Sequence, residues 1–181
     1  IYFKQNILSR LEENRRLFID RDKSLEKIKI ELCGEYYRFD FDNINNLLSN
    51  EFIQNKITNW FNNMMLVNAS SKIPISTLMG CTNTYSRGFI IKKEIAENIG
   101  LDLSDPIELI NRQLCVSCIM KTVINENHID RTFKSIAQFI KENKLEIIND
   151  GFTDFITSFK DENKNVISYS SLFIPVKLIE Y

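Results

Sequence analysis

Cys115 and Cys118 are two thiols three residues apart, a spacing that elsewhere chelates zinc or cycles between dithiol and disulfide. Here the surrounding run, Leu114–Thr122, reads as a strand. Residues three apart in a strand point to opposite faces, so this pair can neither grip one ion nor close a disulfide without distortion. No second pair of this kind exists, and the single histidine, His128, stands near a helix start. Two buried structural thiols, no metal site and no cofactor are therefore expected. Nucleophilic catalysis has as little support, because there is neither a Gly-x-Ser-x-Gly elbow nor a glycine loop to cradle phosphate. Glu35 with Tyr36 or Tyr37 is the acid–base set a hydrolase would use. A solvated strand carboxylate is the plainer reading of Glu35, so the expectation is a binding protein rather than an enzyme, with a hydrolase as the alternative.

The elements that would position a binding site come in two copies. Ile53, Ile57, Trp60, Phe61 and Met64 form one helical stripe; Ile129, Phe133, Ile136, Ala137 and Ile140 repeat it 76 residues later. The same offset carries Pro74–Met79 onto Asp150–Phe155, which predicts a strand after each helix. In the first half, Ile28, Ile30 and Leu32 alternate with polar residues as a half-buried strand, continued through Gly34, a candidate bulge. Strands are then predicted over about 75–81 and 85–92, joined by Thr82-Asn83-Thr84. Residues 94–112 read as a linker. The second half repeats the order with strand 114–122, helix 129–143, strand 151–159, a polar loop from Lys160 to Asn165, and strand 166–178. The fold class is α+β: duplicated β-α-β-β halves forming an antiparallel sheet with two helices and a central ligand cleft. Residues 1–24 form a separate unit, where Ile7, Leu11, Asn14, Phe18, Arg21 and Leu25 follow the 4-3 spacing of a coiled-coil seam. The boundaries are thus 1–24 for a dimerisation helix and 25–181 for the duplicated domain, with pseudo-repeats 25–93 and 114–179.

Composition agrees with a globular core: 44% of the 181 residues are hydrophobic and 26% charged. A net charge of −1, from 23 basic and 24 acidic residues, gives no whole-chain case for binding a polyanion. No run approaches the roughly 20 apolar residues that span a bilayer, and four cysteines in a chain this long do not make a disulfide framework. A cytoplasmic protein without a membrane partner is expected.

A seam helix, two β-α-β-β halves and the closing strand Tyr169-Ser170-Ser171-Leu172-Phe173-Ile174-Pro175-Val176-Lys177 together resemble the effector-binding, gyrase-inhibitor-like domain of MerR-type transcription regulators, similar to multidrug sensors. That resemblance implies a bacterial homodimer joined through the N-terminal helix. It also implies a winged helix-turn-helix upstream that binds promoter DNA, absent from this sequence, and a small aromatic or apolar effector, in this family often a cation. On the last strand Tyr169, Ser171 and Phe173 share one face, and Thr153, Phe155 and Thr157 share a face of the strand before it, opposite Phe152, Asp154 and Ile156. The resemblance places the ligand against Tyr85, Thr153, Phe155, Tyr169, Ser171 and Phe173. Multidrug sensors carry an acidic residue where this chain has Thr153; a register change of one would bring Asp154 inward instead.

Overall fold

The computed structural model describes residues 5, 8, 12, 27–41, 51–82, 84–123 and 129–179. Gln5, Leu8 and Glu12 are helical; the seam positions Ile7, Leu11, Asn14, Phe18 and Leu25, and also His128, lie outside the described residues.

The helical stripes expected from the repeat fold as two long helices. In α1 (Glu51–Asn62), Trp60 is fully buried with Ile53 and Ile57 beside it. In α4 (Ile129–Glu142), Ile136 and Ile140 are buried, with Phe133 and Phe139 packed against them. The end of the predicted stripe differs: Phe61 is exposed within α1, and Met64 is exposed beyond the end of α1 at Asn62. Two short helices, α2 (Ile75–Leu78) and α3 (Lys93–Asn98), complete the helical set among the described residues.

Among the described residues nine strands form the sheet: β1 (Lys29–Leu32), β2 (Tyr36–Asp40), β3 (Asn68–Ile73), β4 (Ser86–Lys92), β5 (Glu108–Ile110), β6 (Leu114–Val123), β7 (Leu145–Ile147), β8 (Gly151–Lys160) and β9 (Val166–Leu178). Their order is β1-β6-β9-β8-β3-β4-β2-β5, every pair antiparallel, with β7 added to β9. The two halves are thus β3-β4-β2 and β8-β9-β6, meeting at β3/β8, and each takes its outermost strand from the segment that precedes the other half.

Three sequence expectations need correction. The strand expected over 75–81 lies at 68–73, and Pro74 opens the short helix α2 in its place, with Asp150 Oδ1 accepting the Ile75 N–H at 3.0 Å. Residues 94–112 are more than a linker, since they hold most of α3 and all of β5. The alternation in β1 does not bury a face: Ile30 and Leu32 are exposed, because β1 is an edge strand.

Chain length then forces the sheet to curl. Laid flat, β1 and β2 would be six inter-strand gaps apart, about 29 Å. Residues 33–35 join them and reach about 14 Å at most. The same holds for β5 and β6, joined by 111–113. The sheet therefore wraps round, and residues from strands far apart in its order meet inside: Tyr36, Ile90, Ile110, Cys115, Phe152 and, partly buried, Phe173 form one cluster with Cys33. Helices α1 and α4 cover the convex side through two other clusters. Among the described residues no helix contributes to the interior cluster. No described helix is long and apolar enough to cross a membrane.

Candidate ligand-binding site

Register decides which side chains reach the concave face. Directly opposed residues of an antiparallel pair share a face. Phe152 opposes Phe173, which opposes Ser117 on the far side. Asp154 likewise opposes Ser171, which opposes Ile119. Thr153 opposes Leu172, whose fully buried side chain packs with α4. Concave positions therefore include Phe152 and Asp154; Thr153 is turned to the helices.

The floor is aromatic. Phe152 and Phe173 stack at 5.2 Å and 23°, and Tyr36 meets Phe152 edge-on at 5.8 Å. Further along β9, Tyr169 stacks on Phe159 at 5.9 Å within a separate cluster containing Ile167.

Polar groups border this floor. Asn68 Nδ2 donates to Asp154 Oδ1 at 2.5 Å. Asn68, Ser70 and Lys72 alternate along β3 on the concave side, since Lys72 opposes Phe152. Ser70 Oγ and Asn68 Oδ1 are buried without a hydrogen-bond partner in the protein, a condition that native structures seldom leave uncompensated. On β2, Arg38 is 1% exposed and pairs with Asp40 at 2.5 Å. A Cβ on Gly88 would overlap Phe39 O and approach Asp40 Oδ1 to 2.8 Å, so only glycine lets β2 and this ion pair pack there. Beside the floor opens a cavity of about 270 Å³ lined by Arg38, Lys72, Glu108, Ile110, Asp150 and Phe152. Lys72 lies 3.3 Å from Glu108 and 3.9 Å from Asp150.

The six expected ligand residues divide between locations. Tyr169, Ser171 and Phe173 share the concave face. Thr153 is buried on the helix side, its Oγ1 accepting the Ser71 N–H at 2.8 Å. Phe155 opposes Ser170, one step from the concave positions, and a bulge between Phe155 and Thr157 then resets the faces so that Thr157 opposes Tyr169. Tyr85 precedes β4 and is 49% exposed. Sequence reasoning missed Tyr36, Phe152, Asn68 and Ser70. The pairing of two phenylalanine-bearing strands, Phe152 with Phe173, was the signal that could have found the floor.

The other reactive residues are dispersed. Glu35 pairs with Lys93 at 3.4 Å near the surface. Tyr36 is in the interior, while the Tyr37 hydroxyl donates to Glu97 at 3.3 Å on the helix side; burial and the Glu97 carboxylate raise its pKa. Cys115 and Cys118 are buried on opposite faces, Cys115 in the interior cluster and Cys118 under α4. Burial pushes the Cys118 thiol up to about 11.

Fold and site define an α+β domain of two β-α-β-β halves whose sheet curls around an aromatic floor with acidic and hydroxyl neighbours. No family model and no curated protein matches the chain. Solved structures do match. The crystal structure of the EcmrR C-terminal domain superimposes with a TM-score of 0.51 at 11% identity, over 84% of this chain and 98% of that one. EcmrR in its DNA complex, determined by cryo-electron microscopy, gives 0.51 at 11% identity over 95% of this chain and 65% of that one. A hydrolase from Listeria innocua gives 0.48 at 12% identity over 90% and 98%. The resemblance to the effector-binding domain of MerR-type regulators therefore holds at the level of fold.

Proposed function

We propose that this chain is the ligand-sensing and dimerising part of a transcription regulator. The reading rests on one observation above others: a buried aromatic floor on the concave face, with Asp154 beside it and the Ser70 hydroxyl unpartnered in the protein. Such a surface suits an aromatic molecule carrying a hydrogen-bond donor or a positive charge. Stacking and cation–π attraction supply roughly 0.5–2 kcal/mol per ring, and the Asp154 carboxylate supplies a charge-assisted contact. Tyr169, Ser171 and Phe173 form one wall; Phe152 and Tyr36 complete the floor. EcmrR, which shares the fold, has been captured on DNA; in this protein promoter contact would belong to an upstream domain. Two copies would join through Ile7, Leu11, Asn14, Phe18 and Leu25. Ligand would then shift the balance between arrangements of sensor and helix only as far as its affinities for them differ.

The test is a thermal-shift titration with tetraphenylphosphonium and with the uncharged triphenylphosphine oxide. A ligand that prefers the folded state raises Tm. A rise with the cation, lost in Phe173→Ala and reduced in Tyr169→Ala, is expected. No rise with either compound in a folded dimer would overturn the aromatic-cation reading.

A further inference from the structure

Cys33 and Cys115 form a thiol pair with no role in the ligand contacts above. The β1/β6 register sets Leu32 against Leu114 and Glu31 against Cys115, and the Cys33 N–H donates to Gln113 O at 3.0 Å. The two cysteines are therefore diagonal neighbours on adjacent strands, and both point into the interior cluster. The neighbouring Cys115 thiol lowers the pKa of Cys33, and Cys33 together with burial raises that of Cys115. Both are free thiols. Cys33 Sγ also lies 3.9 Å from Asn111 O. Cys33 is 2% exposed, while Gly34 and Asn111 beside it are exposed.

A diagonal pair in a regular sheet is about 7–8 Å apart, roughly an ångström beyond the usual reach of a disulfide. Cys115 lies within β6, opposite Glu31 of β1 on one side and Pro175 of β9 on the other. Cys33 follows the last residue of β1 and begins the crossing 33–35, which is not a strand. Closing the remaining gap therefore falls to the backbone at Cys33.

We propose that Cys33 and Cys115 form a reversible intramolecular disulfide when the protein meets a hydroperoxide, fastening the crossing 33–35 to the start of β6 beneath the aromatic floor. The Cys33 thiolate attacks the outer oxygen of the hydroperoxide, breaking the O–O bond; the alkoxide takes a proton and leaves as alcohol, or as water from hydrogen peroxide. Cys115 sulfur then attacks the resulting Cys33 sulfenic acid, and the hydroxyl departs with the Cys115 proton as water. Two thiols lose two electrons and one peroxide gains them. A dithiol reductant reverses the bond by exchange.

The test uses the full chain treated with hydrogen peroxide, alkylated with iodoacetamide under denaturing conditions and mapped without reduction. The expected result is a cross-linked peptide pair containing Cys33 and Cys115, two hydrogens lighter than the separate peptides. Titratable thiols should fall from four to two and return to four with dithiothreitol. Cys33→Ser and Cys115→Ser should each abolish the cross-link, and Cys81→Ser and Cys118→Ser should retain it. The map of the unmutated protein decides the matter even where a variant folds poorly. Four unreacted thiols, oxidation of Cys33 that stops at sulfinic acid, or a cross-link through Cys81 between copies would each overturn the proposal.

Discussion

Asp154 and Thr153 are sequence neighbours on opposite faces of β8, so substitutions at the two should separate ligand binding from stability. Asp154→Asn keeps the side chain's shape and its contact with Asn68 while removing the charge. Tetraphenylphosphonium has no hydrogen-bond donor, so Asp154 acts on it through charge alone, about 2.4 kcal/mol for unit charges about 7 Å apart at an effective dielectric constant of about 20. Because Asp154 is only half-buried, solvent screening reduces this to about 1 kcal/mol, roughly fivefold in affinity, with little change in Tm. Thr153→Val keeps the volume and removes the acceptor that satisfies the Ser71 N–H at 2.8 Å. At a position 4% exposed, an orphaned donor costs about 1–3 kcal/mol. For a domain of this size that lowers Tm by about 2–12 °C, with affinity for the cation retained below the melting transition. Differential scanning fluorimetry reads the first quantity and fluorescence or calorimetric titration the second; triphenylphosphine oxide should be insensitive to Asp154→Asn. Loss of affinity in Thr153→Val with unchanged affinity in Asp154→Asn would show that the concave face is not where the ligand binds.

Other substitutions probe the scaffold and the assembly. Gly88→Ala should lower the urea midpoint by the equivalent of about 1–3 kcal/mol or more, because the added methyl meets the Phe39 carbonyl and Asp40; an unchanged midpoint would refute the close packing of β2 on β4. Lys56, 1% exposed, donates to Ser104 O, Ser104 Oγ and Asp105 O; Lys56→Met should cost about 3 kcal/mol in chemical denaturation by orphaning these acceptors. Hydrogen bonds from Ser104 hold the Asp102 carboxyl below its ordinary pKa, with a smaller contribution from Lys56. A depressed pKa adds stability above about pH 4 that is lost as pH falls through the folded value. Tm curves of the native protein and Asp102→Asn should therefore differ modestly at neutral pH and converge in acid. On the proposed pairing of two copies through the N-terminal seam, Phe18→Asp should give a monomer in light scattering by placing an unpaired charge there, and a dimeric variant would refute that pairing.

The second half was legible in the sequence nearly residue by residue, and the first was not, for reasons visible in β3. Helix α4 and strands β6 and β9 carry clear periodicity, with apolar residues such as Val116, Cys118, Leu172 and Ile174 on the helix side. Strand β3 reads Asn-Ala-Ser-Ser-Lys-Ile, which local propensity would not select as a strand. It forms one because it sits at the centre of the sheet, paired with β4 on one side and β8 on the other. The apolar run after it looked more strand-like, but Pro74 and the Asp150 carboxylate that caps Ile75 favour a helical turn. Tertiary pairing overrode local preference at this point.

The candidate site was only half legible, and β8 shows why. Alternation divides its residues into two faces without saying which one is inside, and the bulge after Phe155 makes any single alternation fail along its length. What fixes the face is the partner strand: Phe173 enters the interior, so Phe152 does, and Asp154 follows two residues on. Departures from regularity gather at the same place. A polar central strand, a glycine admitted for want of space at Gly88, a bulge in β8 and the Ser70 hydroxyl all border the concave face. For folding alone, an apolar residue at Ser70 would remove the desolvation penalty of a buried unpartnered hydroxyl, about 1–3 kcal/mol. Violations of local rules concentrate where a protein has another use for the residues. Here that argument and the geometry converge on the strip from Ser70 to Asp154, on the face of β8 opposite Thr153, as the place to test for the proposed ligand.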